Sequence, residues 1–564
     1  MENKILAGGV LGFDFVVAGA GSAGCAIAAR LSELPEARVL LLEAGPHDTN
    51  PYIHVPAGFY RMTGGPLTWG YRTTPQSQAN GRTIAYPQGR VLGGSSSINA
   101  MVYTRGNPGD YDAWANEAGC PGWSYRDVLP YFRKAEDNSR LGAPFHGQGG
   151  PLGVSDLLDP HMLTGVFVEA AQQFGIPRNP DFNSDVQAGC GIYQVTQRGG
   201  RRSSAAASYL REARGRPNLK IETDCIATRI VIENGRARGI EYLPKGSREP
   251  VVAAAESEVI ITSGAIGSPK LLMLSGIGRA ADLKALGVDV MQDLPGVGQN
   301  LQDHVDPYVI CELTGKYSYD HYARPWNMAA AALQYALFHR GPATSNLAEG
   351  GAFWFADEDQ KRPDVQFHFM VGAGLEEGVP PVPSGSGCTL NSCHARPRSR
   401  GDVRLASGDP FVSPLVNPNF WADPYDFEMS KRGVKMAREI MRQSAFSKYI
   451  KREHLPGDGK NSEADLEDHC RRFCKTDYHP VGTCKMGTDE MAVVDSDLRV
   501  RGVDGLRVAD SSIMPLLISS NTNAATIMIG EKAADLIRGN RRSAGIRIGN
   551  GLANAPREMR PGAG

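Results

Sequence analysis

A histidine followed directly by a proline and a glycine-containing turn stands late in the chain, in TDYHPVGTCKMG at 476–487. Histidine titrates near neutral pH and suits the task of a general base. A histidine used for packing needs no such setting, whereas loops held by a rigid scaffold often present reactive groups. His479 is therefore a candidate for proton transfer. A second pattern lies at the other end, in FDFVVAGAGSAGCAIAARLSE followed by VLLLEAG. Gly19, Gly21 and Gly24 have the GxGxxG spacing, after an apolar strand at Phe13 to Ala18 and before an alanine-rich helical stretch. Glycines so placed permit a tight turn, let a pyrophosphate approach the backbone, and let helix and strand pack closely. The helix N-terminus offers free N–H groups and a partial positive charge to phosphates. Glu43 ends the second strand, nineteen residues after Gly24, where a carboxylate can accept both ribose hydroxyls. A dinucleotide site is expected here, and this motif alone does not separate FAD from NAD.

Presenting such groups takes a strand–turn–helix–strand unit, and the chain has room for more. Its 564 residues exceed one simple core, so two or more joined domains are expected. Hydrophobic residues at 41% and charged residues at 21% are ordinary for a soluble globular protein. A formal net charge of −1 speaks against a nucleic-acid binder and a strongly basic membrane surface. No uninterrupted apolar run is long enough to span a bilayer. The opening MENKILAGGVLGFDF lacks an apolar signal region with a small-residue cleavage site, so a cytoplasmic location is expected. Ten cysteines at irregular spacing do not form a disulfide framework. Cys470 and Cys474, near His469, have no accompanying CxxC-type pair, and buried reduced thiols rather than a metal site are expected.

GRVLGGSSSINAMVYTRG at 89–106 and TSGAIGSPKLLMLSGIG at 262–278 are small-residue turns leading into apolar segments, and by themselves they name no function. Together with the first motif they resemble signatures of the glucose-methanol-choline (GMC) oxidoreductase family, in its alcohol and choline dehydrogenase-like branch. LPGVGQNLQDH (294–304), RPRSRGDVRLAS (396–407) and LRVADSSIMP (506–515) also look like family segments, so the resemblance runs from about residue 12 to about 540. It implies an α/β (α+β overall) fold, with a Rossmann-type FAD-binding domain and a second, sheet-containing substrate domain. It also implies FAD. Ser22, Ala23, Glu43 and Ala44 would hold the ADP part, and Ala227 would meet the adenine through its backbone. Val91, Asn99, Ala100, Met101 and Val102 would line the flavin and its diphosphate. Asp510, Asn521 and Thr522 would close over the ribityl and ring end. Some relatives attach FAD through a histidine in the GGSSS-x-N run, where this chain has Ile98, so a non-covalent, dissociable FAD is expected.

The resemblance makes His479 the catalytic base and puts the family's second catalytic position, His or Asn, on Asn521 in SSNTNAATIMIGEK, with Asn523 a near neighbour. The expected activity is oxidation of a small alcohol, with electrons passing to a quinone, another carrier or oxygen. The alternatives are an oxygen-using alcohol oxidase and a flavin-containing lyase acting on hydroxynitriles. The FAD-binding domain is expected to be discontinuous, at 12–150, 203–307 and 478–540, with 151–202 and 308–477 forming the substrate domain and 541–564 a flexible tail. Alternation in PDVQFHFMV (363–371) predicts a half-buried strand with His368 solvated or hydrogen-bonded. VPPVPSGSG (379–387) reads as a mobile loop near the active-site mouth. Glu349 could pair with a cationic substrate, helped by Trp326 and Trp354, but a structural role is favoured.

Overall fold

In the computed structural model, residues 5–6, 10–376 and 378–543 are described. They build two large sheets and several small ones, with helices packed around them. The first sheet follows the order Ile226–Glu233, Arg236–Leu243, Val251–Ile261, Val10–Ala18, Val39–Leu42, Leu219–Glu222. VLLL is buried at every position, as a parallel strand covered on both faces must be. Val251–Ile261 changes partners along its length. Its start runs antiparallel to Arg236–Leu243, and its end runs parallel to both Val10–Ala18 and Leu506–Val508.

The strand–turn–helix unit forms where the glycines predict it. Gly19 has φ +110°, a conformation that suits glycine. A side chain at Gly24 would begin 1.9 Å from the Gly19 carbonyl oxygen, so only glycine lets helix Ser22–Leu31 sit this close to the turn. That helix packs on the late helix Asn523–Ser543. Arg30 clasps Glu531 between them, and Ser22 Oγ donates to Asn523 Oδ1 at 2.7 Å. Residues 541–543 belong to this helix rather than to a flexible tail, while 544–564 lie outside the described residues.

The second sheet is antiparallel, in the order Ile450–Leu455, Val305–Leu313, Gly387–His394, Val365–Met370, Ala348–Trp354, Gly189–Ile192. Cys474–Thr476 pairs with the start of Val305–Leu313 and so delivers the chain to His479. The alternation in Val365–Met370 is real, yet every residue is buried. Phe369 stacks on Phe167 at 4.9 Å between ring centroids, while His368 and Met370 face a cavity. The polar register thus meets a site, not solvent. The loop after Gly378 is packed: Val379 and Val382 are buried with Tyr308, Ile310 and Ala373, and Tyr308 donates to the Gly378 carbonyl. All ten cysteines are buried and unpaired, and His469 is engaged with the Tyr308 carbonyl at 2.9 Å. Among the described residues no helix is long and apolar enough to cross a membrane.

Candidate active site

One cavity of about 620 Å³ is walled by both sheets. Its nucleotide end is lined by Gly19, Gly21, Ser22, Ala23, Glu43, Ala44 and Ala227. Asn99, Ala100, Met101 and Val102 line its middle, and Asp510, Asn521, Thr522 and His479 also reach it. Two of the expected contacts stand behind the wall. Gly24 is buried in the first turn of helix Ser22–Leu31, and Val91 is fully buried, its carbonyl accepting the Gly94 N–H.

The nucleotide end fits a dinucleotide. Helix Ser22–Leu31 has no side-chain cap at Gly21, so its first N–H groups are available to an anion. A side chain at Gly21 would find nothing nearer than the Thr262 carbonyl at 3.8 Å, so there is room beside this backbone for a ligand. Gly94 (φ +55°) closes on it: a Cβ there would fall 2.7 Å from Gly21 Cα, which locks the two glycine-rich turns together. Glu43 accepts from Ala20 N at 3.0 Å and Gly45 N at 2.8 Å. Burial outweighs these N–H donors and pushes its carboxyl up to about 7. Further donors such as ribose hydroxyls would favour the charged form. Asp510 clasps the backbone N–H groups of Gly264 and Ser512, and burial raises its pKa. Ile98 is buried against the cavity and has no nucleophilic atom.

The reactive end is built around His479. Tyr478, at φ +66°, turns the chain after strand Cys474–Thr476, and Asp303 Oδ1 accepts the His479 N–H at 2.9 Å. His479 Nδ1 lies 3.0 Å from His304 Nδ1 and 3.4 Å from Asp477 Oδ2. His304 Nε2 lies 3.0 Å from the Ala395 carbonyl, which can only accept, so that nitrogen carries the proton. The proton between the two Nδ1 atoms then belongs to His479. Its Nε2 is left with a lone pair, which accepts from Asn521 Nδ2 at 3.1 Å. Asn521 is oriented in turn, because its Oδ1 accepts from Thr104 Oγ1 at 3.1 Å and Gln366 Nε2 at 3.0 Å. Asn523 is turned away, toward Ser22.

Burial above all, with His304, His368 and Lys475 adding to it against Asp477, pushes His479 down to about 3. The imidazole is therefore neutral at physiological pH, not poised near its ordinary value as the sequence suggests. His304 falls to about 4, again chiefly through burial. Burial works against the Asp477 carboxylate, yet His368, His479 and Lys475 outweigh it and hold its pKa below the usual range. Lys475 is itself buried among acids, 2.8 Å from Asp306, 3.4 Å from Glu376 and 3.8 Å from Asp477. Glu349 is not in the cavity lining. His161 N, Thr164 and Tyr319 donate to its carboxylate, Trp326 stands in solvent and Trp354 is half-buried outside the cavity. The sequence reading did not single out His304, although LPGVGQNLQDH contains it, nor Asp477, which stands two residues before the histidine it supports.

The family profile described as GMC oxidoreductase matches residues 13–306 with its N-terminal part and 397–530 with its C-terminal part. The alcohol dehydrogenase [acceptor] of Pseudomonas putida is 42% identical over 535 residues, covering 93% of this chain and 95% of that protein. The oxygen-dependent choline dehydrogenase of Sinorhizobium medicae (strain WSM419) is 44% identical over 533 residues, with coverages of 93% and 95%. Among solved structures, pyridoxine 4-oxidase from Mesorbium loti superposes with a TM-score of 0.85 at 33% identity, over 93% of this chain and 99% of that one. The likeness thus runs along nearly the whole chain, in sequence and in fold, and this protein belongs to the GMC oxidoreductase family.

Proposed function

We propose that this chain oxidises an alcohol to an aldehyde or ketone, with FAD as cofactor, His479 as general base and Asn521 orienting the substrate oxygen. One observation carries this reading: the hydrogen-bond chain from the Ala395 carbonyl through His304 leaves the His479 Nε2 lone pair facing the Asn521 amide in the cavity. Bound FAD supplies the acceptor for the hydride leaving the substrate carbon. A hydroxyl that takes the place of this contact gives its proton to Nε2, and its oxygen accepts from Asn521 as negative charge develops. Thr104 and Gln366 keep the amide turned the right way throughout. The imidazolium so formed faces the Asp477 carboxylate.

Gly19, Gly21, Gly24, Ser22, Ala23, Glu43, Ala44 and Ala227 serve the ADP half of the cofactor in this reading, and Val91, Asn99 to Val102, Asp510 and Thr522 the flavin half. Nothing at Ile98 can bond to the flavin, so acid precipitation releases the yellow colour. The FAD domain comprises 12–150, 203–307 and 478–540, and the substrate domain 151–202 and 308–477. The location is cytoplasmic, and the electron acceptor is a quinone, another carrier or oxygen. The test is anaerobic addition of primary alcohols, polyols and choline. Bleaching of the flavin supports oxidation, and admitting oxygen or a dye then separates oxidase from dehydrogenase. Product formation with the flavin still oxidised would make the chain a lyase.

A further inference from the structure

Helix Pro325–Phe338 reads PWNMAAAALQYALF, carries no charge, and buries only Ala331. Trp326 is 87% exposed, Phe338 68%, Leu337 63% and Leu333 61%. A helix that is apolar around its circumference is normally covered, and a contiguous exposed apolar patch marks an interaction surface. The rim is basic. Arg324 precedes the helix, His339 and Arg340 follow it, and residues 321–348 contain no Asp or Glu, although Arg340 is paired with Asp159 at 3.2 Å. The helix rests on the turn that precedes residue 62. Arg61 reaches Met328 Sδ at 3.6 Å and lies over the rings of Tyr52 and Tyr60, both exposed. Phe59 of the same turn lines the active-site cavity.

An apolar centre rimmed by tyrosines and arginines matches the boundary between lipid tails and headgroups, where amphipathic side chains keep their polar tips in water. At about 21 Å the helix is too short to span a bilayer and long enough to lie on one. We propose that this face docks on the surface of a membrane containing anionic lipids, with the helix in the headgroup–acyl boundary and Arg324 and Arg61 at the lipid phosphates. The charges favour lipid over a second copy of the chain. A symmetric pairing through the helix would set Arg324 and Arg61 against basic rims, with the acid at the rim, Asp159, already engaged by Arg340 and the Gly341 N–H.

The test mixes the full-length flavoprotein with vesicles of phosphatidylcholine, with or without phosphatidylglycerol. The protein should co-sediment with the anionic vesicles, less so as salt rises. Trp326 is the only exposed tryptophan among the described residues, so its emission should shift to the blue on binding. Arg324→Gln and Arg61→Gln should each weaken binding by about five-fold at low salt. The combined variant Trp326→Gln, Leu333→Gln, Leu337→Gln, Phe338→Gln should stay in the supernatant and keep its turnover with a soluble dye. Failure of the parent to co-sediment, equal binding to neutral vesicles, or binding that survives the combined variant overturns the proposal. So does a dimer, seen by sedimentation velocity without vesicle binding, that the same four substitutions abolish.

Discussion

His479 acts, in this reading, as a base whose lone pair is prepared before substrate arrives. His479→Ala should keep its flavin spectrum and reduce the flavin about 10²–10⁴-fold more slowly in stopped flow. The pH dependence follows from the lowered pKa. Nε2 is unprotonated across neutral pH, so the reduction rate should be level there and fall only on strong acidification, as the base protonates. A limb centred near the ordinary value for histidine would contradict this assignment. Asn521→Ala should slow reduction and leave that acid limb in place. At the other end, Glu43→Gln should lose FAD on dilution and regain turnover with excess FAD. Because the Glu43 carboxyl is raised to about 7, it protonates as pH falls through that value, and equilibrium dialysis should show the apoprotein loading FAD more weakly on the acid side. His479, Asn521 and Glu43 were legible because each stands inside a contiguous motif. His304 was not, since it meets His479 across 175 residues of sequence, and the depressed pKa arises from burial that only the assembled fold supplies.

At the scale of the element, the turn Gly94–Ser97 and the segment after it depend on one distant side chain. Arg202 is buried without a carboxylate partner among its contacts, and donates to the carbonyls of Ile53, Ser96 and Asn99 and to Asn99 Oδ1. Burial alone lowers its pKa to about 9, the cost of holding a guanidinium on backbone oxygens. Arg202→Leu leaves three carbonyls short of a donor. It should destabilise the protein by about 3 kcal/mol or more in urea unfolding, and it should loosen FAD as the Asn99–Val102 wall relaxes. Arg202→Lys, with three donors, should recover part of both losses. Such a rivet is invisible in sequence, where RGGRRSS reads only as a polar turn. Strand Val365–Met370 teaches a related lesson. Period-two alternation correctly marked two different faces, but alternation cannot distinguish solvent from the interior of a cavity.

On the scale of the whole molecule, the nucleotide site is not a local object. The helix that begins it is closed by Ser22–Asn523 and Arg30–Glu531 contacts that span 501 residues, and strand Leu506–Val508 completes the sheet beneath. A chain ending at Val500 retains every glycine of the first motif and should nevertheless elute colourless from gel filtration, whereas the chain ending at Ser543 should carry FAD. The packing of helix Asn523–Ser543 on the first helix was not legible from where the motifs fall.

That late helix imposes an order on the birth of the protein. At about 5–20 residues per second, the ribosome makes Asn523 roughly 25–100 s after Ser22. Throughout that interval the glycine turn exists as sequence but lacks the wall against which a dinucleotide would be held. Cofactor capture therefore waits for the late helix, and nascent chains or products terminated before it should remain unpigmented however much free flavin surrounds them. The yellow of a purified sample then certifies synthesis through that helix, and flavin supply governs how many such chains mature rather than how many are started.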